Sequence, residues 1–485
     1  MISQLQDQQR RFEGVLLLLF ILTLPLLNPW VRGDGVGYYA YARAPLIEHS
    51  LDFTRDYQSA NESFREGRFD EHGQIRREFR TRTGHLDNHF TVGPAMLWSP
   101  FLLVTHAGVL MAQRMGAEIP ADGFSSPYRY TMAFATGLYG FLALWLSFRL
   151  ARKYVGPLWS FVATLAIWWA SSLPVYMYFN PSWSHAHSAF ACSLFLWYWD
   201  ATREQRSLGQ WLLLGLIVGL MLDVYYPNLM ILSVLVVEAV SQYANILRSG
   251  PLSSQRLLRL SGRHLLFGLV VLVVMIPTFV SRWIVYGGIF ETGYVSIRDY
   301  LWRSPAFVGV LFSSDHGLLS WTPLLGIAIL GLFFFAFRLP KIGVPFVGAL
   351  VAFYLFICVY PDWAGISSYG NRFFLSLTAL FILGLSVFLD WVAQFFRSRK
   401  AALASASAAL AVFVLWNGGL MFQWGMHLIP VRGPVGFSEM IHNQIFVVPR
   451  QLTADLNTYL FHRKKLMKQI ENRDLQQLEQ NPPSH

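Results

Sequence analysis

The stretch FEGVLLLLFILTLPLLNPWV, residues 12–31, runs directly into RGDGVGYYAYARAPL, residues 32–46. The first part has the length needed to cross a hydrocarbon core about 30 Å thick, roughly 20 apolar residues. The second places an acid, Asp34, between three glycines immediately past that crossing. Working outward, apolar runs of similar length recur along all 485 residues. Hydrophobic residues make up 54% of the chain and charged ones 14%, against roughly 25% charged in a soluble domain. This composition excludes a set of soluble domains and predicts an all-α, polytopic integral membrane protein. The first run reads as a retained span, not as a cleaved leader. Both cysteines, Cys192 and Cys358, lie inside apolar runs, which argues against a disulfide framework and a cysteine metal site.

Eleven spans are expected, at roughly 12–31, 129–151, 156–177, 185–202, 208–224, 227–246, 264–286, 318–338, 342–360, 371–394 and 402–424. The net charge of +10 is no sign of nucleic acid, because the cations cluster in alternate short loops. Arg149, Arg152 and Lys153, then Arg203 and Arg206, then Arg248, Arg256, Arg259 and Arg263, then Arg338 and Lys341, and last Arg397, Arg399 and Lys400 fall on one side with Arg10 and Arg11. The loops around 178–184, 223–228 and 361–370 contain no Arg or Lys. The positive-inside rule therefore places the N-terminus in the cytoplasm.

Residues 93–112, GPAMLWSPFLLVTHAGVLMA, are nearly long enough to cross. Counting them would reverse every later loop, and they contain Pro94, Pro100 and His106. They read as a juxtamembrane or re-entrant helix within a first extracytoplasmic loop of about 32–128, and loops of that length are usually functional. The charges of both signs between Asp52 and Arg82 read mainly as solvated surface. The transmembrane unit is expected over 1–428 and a tail over 429–485. Leu452, Leu456, Leu460, Leu466 and Ile470 give the tail a partly helical spacing, consistent with an interfacial amphipathic helix. A twelfth crossing through 429–449 is disfavoured by Pro430, Pro434 and Pro449. The side of the tail stays open, since Arg463, Lys464, Lys465 and Lys468 prefer the cytoplasm.

Polar groups beside membrane spans are costly to keep, and the unusual ones gather on the outer face. They are Asp34; His185 and His187 in PSWSHAHSAF (181–190); Asp315 and His316 in LFSSDHGLLSWTPLL (311–325); and Asp362, Trp363, Asn371 and Arg372 in PDWAGISSYGNRFF (361–374). Each has a plainer reading. Asp34 would serve as an interfacial charge and Arg372 as a snorkelling anchor. His185 and His187, two apart on a helix, point to different sides. Four distant segments nevertheless bring acid, imidazole and guanidinium to one surface, the groups that a transfer reaction with a phosphate leaving group uses.

With the motifs GDGVGYYAYARAPL, SHAHSAF, FSSDHGLLSWTPL and SSYGNRFF, the layout over residues 10–395 resembles polytopic glycosyltransferases of the GT-C class. The likeness is to the protein O-mannosyltransferase and aminoarabinose transferase superfamily. It implies transfer of a sugar from a polyprenyl-phosphate carrier to a lipid, glycan or protein acceptor outside the bacterial cytoplasmic (inner) membrane, with inversion. By this resemblance Asp34 matches the general base, His185 stands where the family places a second acid, and Arg372 stands where a cation would hold the carrier phosphate. The basic residue that many members carry before a proline is here Tyr226, before Pro227. Tyr38, His89, His187, Asp315, His316, Trp363 and Asn371 complete the candidate substrate contacts. No metal site is expected, although some members use a divalent metal, for which Asp34 with His185 or His187 would be the ligands.

The alternatives are a transporter or flippase of lipid-linked glycans, a ligase fed by a whole oligosaccharide, and a non-catalytic scaffold. A transporter commonly shows internal repeats and ionisable groups at mid-membrane. No repeat is evident, and Asp223 and Glu238, the acids nearest the spans, fit helix ends.

Overall fold

The computed structural model describes residues 2–248 and 254–480; the last five residues of the expected tail, 481–485, lie outside it. Among the described residues the chain is helical, with two isolated β-bridges and no strand. Each expected span coincides with helix: α1 (Ile2–Thr23), α4 (Ser126–Val155), α5 (Pro157–Trp169), α6 (His185–Thr202), α7 (Leu208–Val224), α8 (Ser233–Arg248), α9 (Ser254–Val274) with α10 (Ile276–Tyr286), α11 (Leu324–Arg338), α12 (Pro340–Val359), α13 (Thr378–Ala393) and α14 (Arg399–Gly425). The longest helices of the first long loop are α2 (Asp34–Arg43) and α3 (Gly93–Arg114), and those of the tail are α15 (Val448–Phe461) and α16 (Arg463–Gln480). Among the described residues, seven helices are long and apolar enough to cross a membrane: six within the expected spans, and α3.

Several spans are shorter than their apolar runs. The first is expected to reach residue 31, but α1 stops at Thr23 and a single tight turn, Leu24–Leu26, follows. Pro25 and Pro29 withhold the amide donors that would continue it. The third ends at Trp169 instead of residue 177, and Val175–Phe179 form a separate wide turn. The seventh breaks at Met275, ahead of Pro277. Helix α3 runs unbroken through Pro100. Its partners lie on the first half of α4: Trp98 donates to Thr136 at 2.9 Å, Tyr139 to the carbonyl of Leu97 at 3.0 Å, and His106 meets Tyr128 at 2.7 Å. With 30 residues, α4 is about 45 Å long at 1.5 Å per residue. Its first half therefore carries the long loop while its second half joins the main bundle.

The main core surrounds α13, which packs on α4, α5 and α11. A Cβ added to Gly331 of α11 would stand 1.9 Å from the carbonyl oxygen of Gly384 in α13, so these backbones touch, as small residues permit in membranes. A second apolar cluster, including Tyr41, Phe53, Tyr57, Trp98 and Tyr128, lies under the long loop. Within it Arg43, whose side chain is 0% exposed, is held by Asp56 at 2.6 and 2.7 Å and by Glu48 at 2.9 Å. At the opposite end Glu238, six residues into α8 and not at its end, pairs with Arg206 at 2.7 Å. Asp223 is the penultimate residue of α7 and fully buried, accepting from Thr278.

The tail folds back over the face that carries the long loop. Tyr459 donates to the carbonyl of Leu26 at 2.7 Å, and Arg463 donates to those of Pro25 and Leu27. Glu471 accepts from the amide of Ser63 at 2.6 Å. Asp474 meets His427 at 2.7 Å and Arg32 at 3.4 Å. Burial alone would raise the Asp474 carboxyl, but Arg32 and His427 outweigh it and hold it below the usual carboxylate range.

Candidate active site

Helix α2 starts at Asp34 because Gly33 precedes it with φ at 53°, a backbone favourable only for glycine. The next glycine, Gly35, fits against loop 180–184 so closely that a Cβ would stand 1.9 Å from Ser182 Oγ. Asp34 is thus pinned in the first turn of a helix, where the dipole favours a carboxylate. Tyr38 lies one turn on, on the same face. Its hydroxyl accepts from Ser184 Oγ at 2.9 Å, and burial, with Asp34 nearby, pushes it up to about 12. It therefore serves as a neutral hydrogen-bonding group.

Arg372 follows loop 361–371, which is braced at several points. Asn371 Nδ2 donates to the carbonyl of Trp363 at 3.1 Å, Ser368 Oγ donates to that of Gly370 at 2.9 Å, and the amide of Tyr369 donates to Tyr176 at 3.0 Å. His316 Nδ1 lies 3.0 Å from the carbonyl of Ala364. Ile366 sits at φ 59°, a costly conformation for a β-branched residue. Held in this way, the Arg372 guanidinium lies 4.4 Å over the Trp183 ring, with Nη1 3.0 Å from Asp34 Oδ2. Its side chain is 10% exposed and that of Asp34 30%. Neither Nε nor Nη1 of Arg372 makes a directed hydrogen bond. A buried cation with unfilled donors is costly unless something satisfies them.

The structure brings together Asp34, Tyr38 and Arg372. His185 is beside them but not bonded to Asp34; its ring packs 4.9 Å from Tyr176, 5.8 Å from Tyr225 and 6.3 Å from Trp183. His89 is one residue further out, 4.9 Å from Tyr294 and 3.9 Å from Asp87. Other candidates are placed differently from expectation. His187 lies in helix packing, 5.0 Å from Trp98 and 5.5 Å from Tyr139, with neither ring nitrogen bonded. His316 is fully buried against Trp321, and burial lowers it to about 4. Asp315, 3.3 Å from His316, is half-buried and raised by that burial. Trp363 packs on Gly309. These last groups and Asn371 support the loop that presents Arg372. No group of three or more His, Cys, Asp or Glu able to hold a metal stands together among the described residues, and Asp34 engages Arg372 in place of either histidine.

Sequence reasoning missed the aromatic walls. Trp183 carries Arg372, and its Nε1 donates to the carbonyl of Arg32 at 3.0 Å. Tyr176, Tyr225, Tyr294 and Tyr360 surround the pair. The available signal was position, since Trp183 lies inside PSWSHAHSAF and Tyr360 directly precedes PDW. Arg282 was also missed. It donates to the carbonyls of Asn88, His89 and Phe90 and to Tyr226 at 3.0 Å. Its cation is used to fix the loop, so the Tyr226 position is filled by a hydrogen-bonded phenol.

No protein-family model matches the sequence, and no curated protein matches it. Solved structures similar to the chain include ArnT from Cupriavidus metallidurans bound to undecaprenyl phosphate, at TM-score 0.47 and 15% identity, covering 85% of this chain and 70% of that one. Another is the archaeal oligosaccharyltransferase AglB from Archaeoglobus fulgidus, in complex with an inhibitory peptide and a dolichol-phosphate. It matches at TM-score 0.46 and 13% identity, covering 84% of this chain and 54% of that one.

Proposed function

We propose that the chain is a membrane glycosyltransferase that moves a sugar from a polyprenyl-phosphate carrier to a hydroxyl acceptor, with inversion. The observation that carries this reading is the buried Arg372 guanidinium, stacked on Trp183 with Nε unfilled and Nη1 paired with Asp34 at 3.0 Å. A phosphate is the anion whose oxygens such a fork fits. When phosphate takes Arg372, Asp34 loses its partner and is free to accept a proton. The acceptor oxygen then attacks the anomeric carbon, its proton passes to Asp34, and the bond from that carbon to the phosphate oxygen breaks on the opposite face. The leaving phosphate keeps the electron pair, and Arg372 offsets its charge. Tyr38 orients the sugar by hydrogen bonding. His185, in its aromatic surround, shapes the acceptor side and does not relay the proton. No divalent metal is required for this sequence of steps.

The cation distribution supports a cytoplasmic N-terminus, and with it an active site on the outer face of a bacterial inner membrane. A transporter would place such a pair near mid-membrane, whereas this one lies where α2 and loop 361–371 meet at the end of the bundle. The test is to supply membranes containing the protein with a radiolabelled polyprenyl-phosphate monosaccharide. Covalent transfer that depends on Asp34 is expected; label that crosses the membrane without becoming attached to an acceptor refutes the reading.

A further inference from the structure

A groove of about 210 Å³ lies between α14, the 175–179 turn and the two tail helices. Phe179, Phe422, Leu456, Tyr459, Leu466 and Met467 make its walls apolar. Two residues of α14 that line it, Gly418 and Gly425, have nothing within 4 Å of where a Cβ would stand. They are seven apart, hence on one face. Alanine is the better helix former at such positions, so bare glycines leave space that side chains would otherwise take. Along the other wall Leu452 and Leu456 of α15, 42% and 44% exposed, leave an open edge. Trp30, Arg32 and Asn180 stand at the polar end. Arg32 is two residues before Asp34, and its carbonyl holds Trp183, on whose ring Arg372 lies.

We propose that this groove seats the aliphatic chain of a lipid acceptor and presents its hydroxyl head past Arg32 to Asp34. The assignment rests on the transferase reading above and names its acceptor class. A peptide acceptor fits poorly, because its backbone amides and carbonyls would find almost no partners on these walls. The carrier lipid is assigned elsewhere, since its phosphate belongs on Arg372, beyond Trp183 from the groove's end.

The experiment uses the full-length purified protein and a diazirine-bearing stearyl alcohol, with photolabelled peptides mapped by mass spectrometry. Label is expected on the 418–425 and 452–456 segments. Each methylene excluded from the groove is worth about fourfold in affinity. Gly418→Leu on one wall and Leu456→Trp on the other should therefore each lower labelling about tenfold or more. Asp34→Asn should label as the parent does, because occupancy is read without turnover. Labelling spread over α8 and α9 and unchanged by both variants overturns the proposal. So does competition by farnesyl phosphate but not by farnesol, which would make the groove the donor's seat. Failed labelling alongside successful sugar transfer removes the groove alone. Specific labelling with no transfer to any acceptor removes the acceptor role together with the transferase reading.

Discussion

Replacing Arg372 separates a phosphate ligand from a membrane anchor. The guanidinium has an unfilled Nε and an Nη1 paired with a carboxylate 3.0 Å away, and a phosphate could take both. Hydrogen bonds to charged groups contribute about 1.5–3 kcal/mol each. Losing two of them in Arg372→Ala should weaken donor binding by about 3–6 kcal/mol, or 10²–10⁴-fold. Arg372→Lys keeps the charge but not the fork, and should lose roughly 10–30-fold. Asp34→Asn acts on the other side of the pair. It should lower kcat about 10²–10⁴-fold without raising the donor KM, because the amide no longer competes for Arg372. Initial rates of sugar transfer over a range of donor concentrations give both constants. Lysine and alanine variants that fall equally would reduce Arg372 to an anchor. An Asp34→Asn protein that keeps more than about a tenth of the rate would remove Asp34 as the base. A donor KM that rises as much in Asp34→Asn as in Arg372→Ala would mean that Asp34 merely positions the arginine.

Three other outcomes follow from the packing. Asp56→Ala leaves Arg43 buried with only Glu48 beside it, and should cost about 3–5 kcal/mol, read as a lowered melting temperature in detergent. Gly93→Ala would place a Cβ 2.3 Å from the amide nitrogen of Val224; because backbone cannot rotate aside, it should destabilise by about 1–3 kcal/mol, while Gly108→Ala, which meets nothing within 4 Å, should not. His316 titrates near 4 in the fold instead of 6.5 because it is buried. The unfolded chain takes the proton first, so stability should fall as pH drops from 6.5 toward 4. The loss is about 2 kcal/mol at pH 5, and a melting series on His316→Gln should be flatter over that window.

The helical membrane architecture was legible because span length and loop charge are properties of contiguous sequence. Helix ends were less so: Pro25 and Pro277 cut α1 and α9 inside runs that hydropathy treats as uniform. The acid and the guanidinium could be picked out because charge beside a span is conspicuous. Their aromatic supports could not, since Trp183 and Tyr225 resemble any interfacial aromatic until the fold sets them against His185 and Arg372. His187 misled for a related reason. An imidazole two residues from His185 shares its motif, but the helix turns it toward Trp98. The side taken by the tail depended on single long-range bonds, such as that of Arg463 to the carbonyl of Leu27, which no local pattern announces.

The hook between Asp474 and Arg32 ties α16 to the segment just ahead of Asp34. Without α16, Arg32 would lose its carboxylate partner while its carbonyl kept the bond from Trp183, and the groove behind it would lack a wall. Loosening α16 would therefore be felt at Asp34 through Arg32, two residues before it.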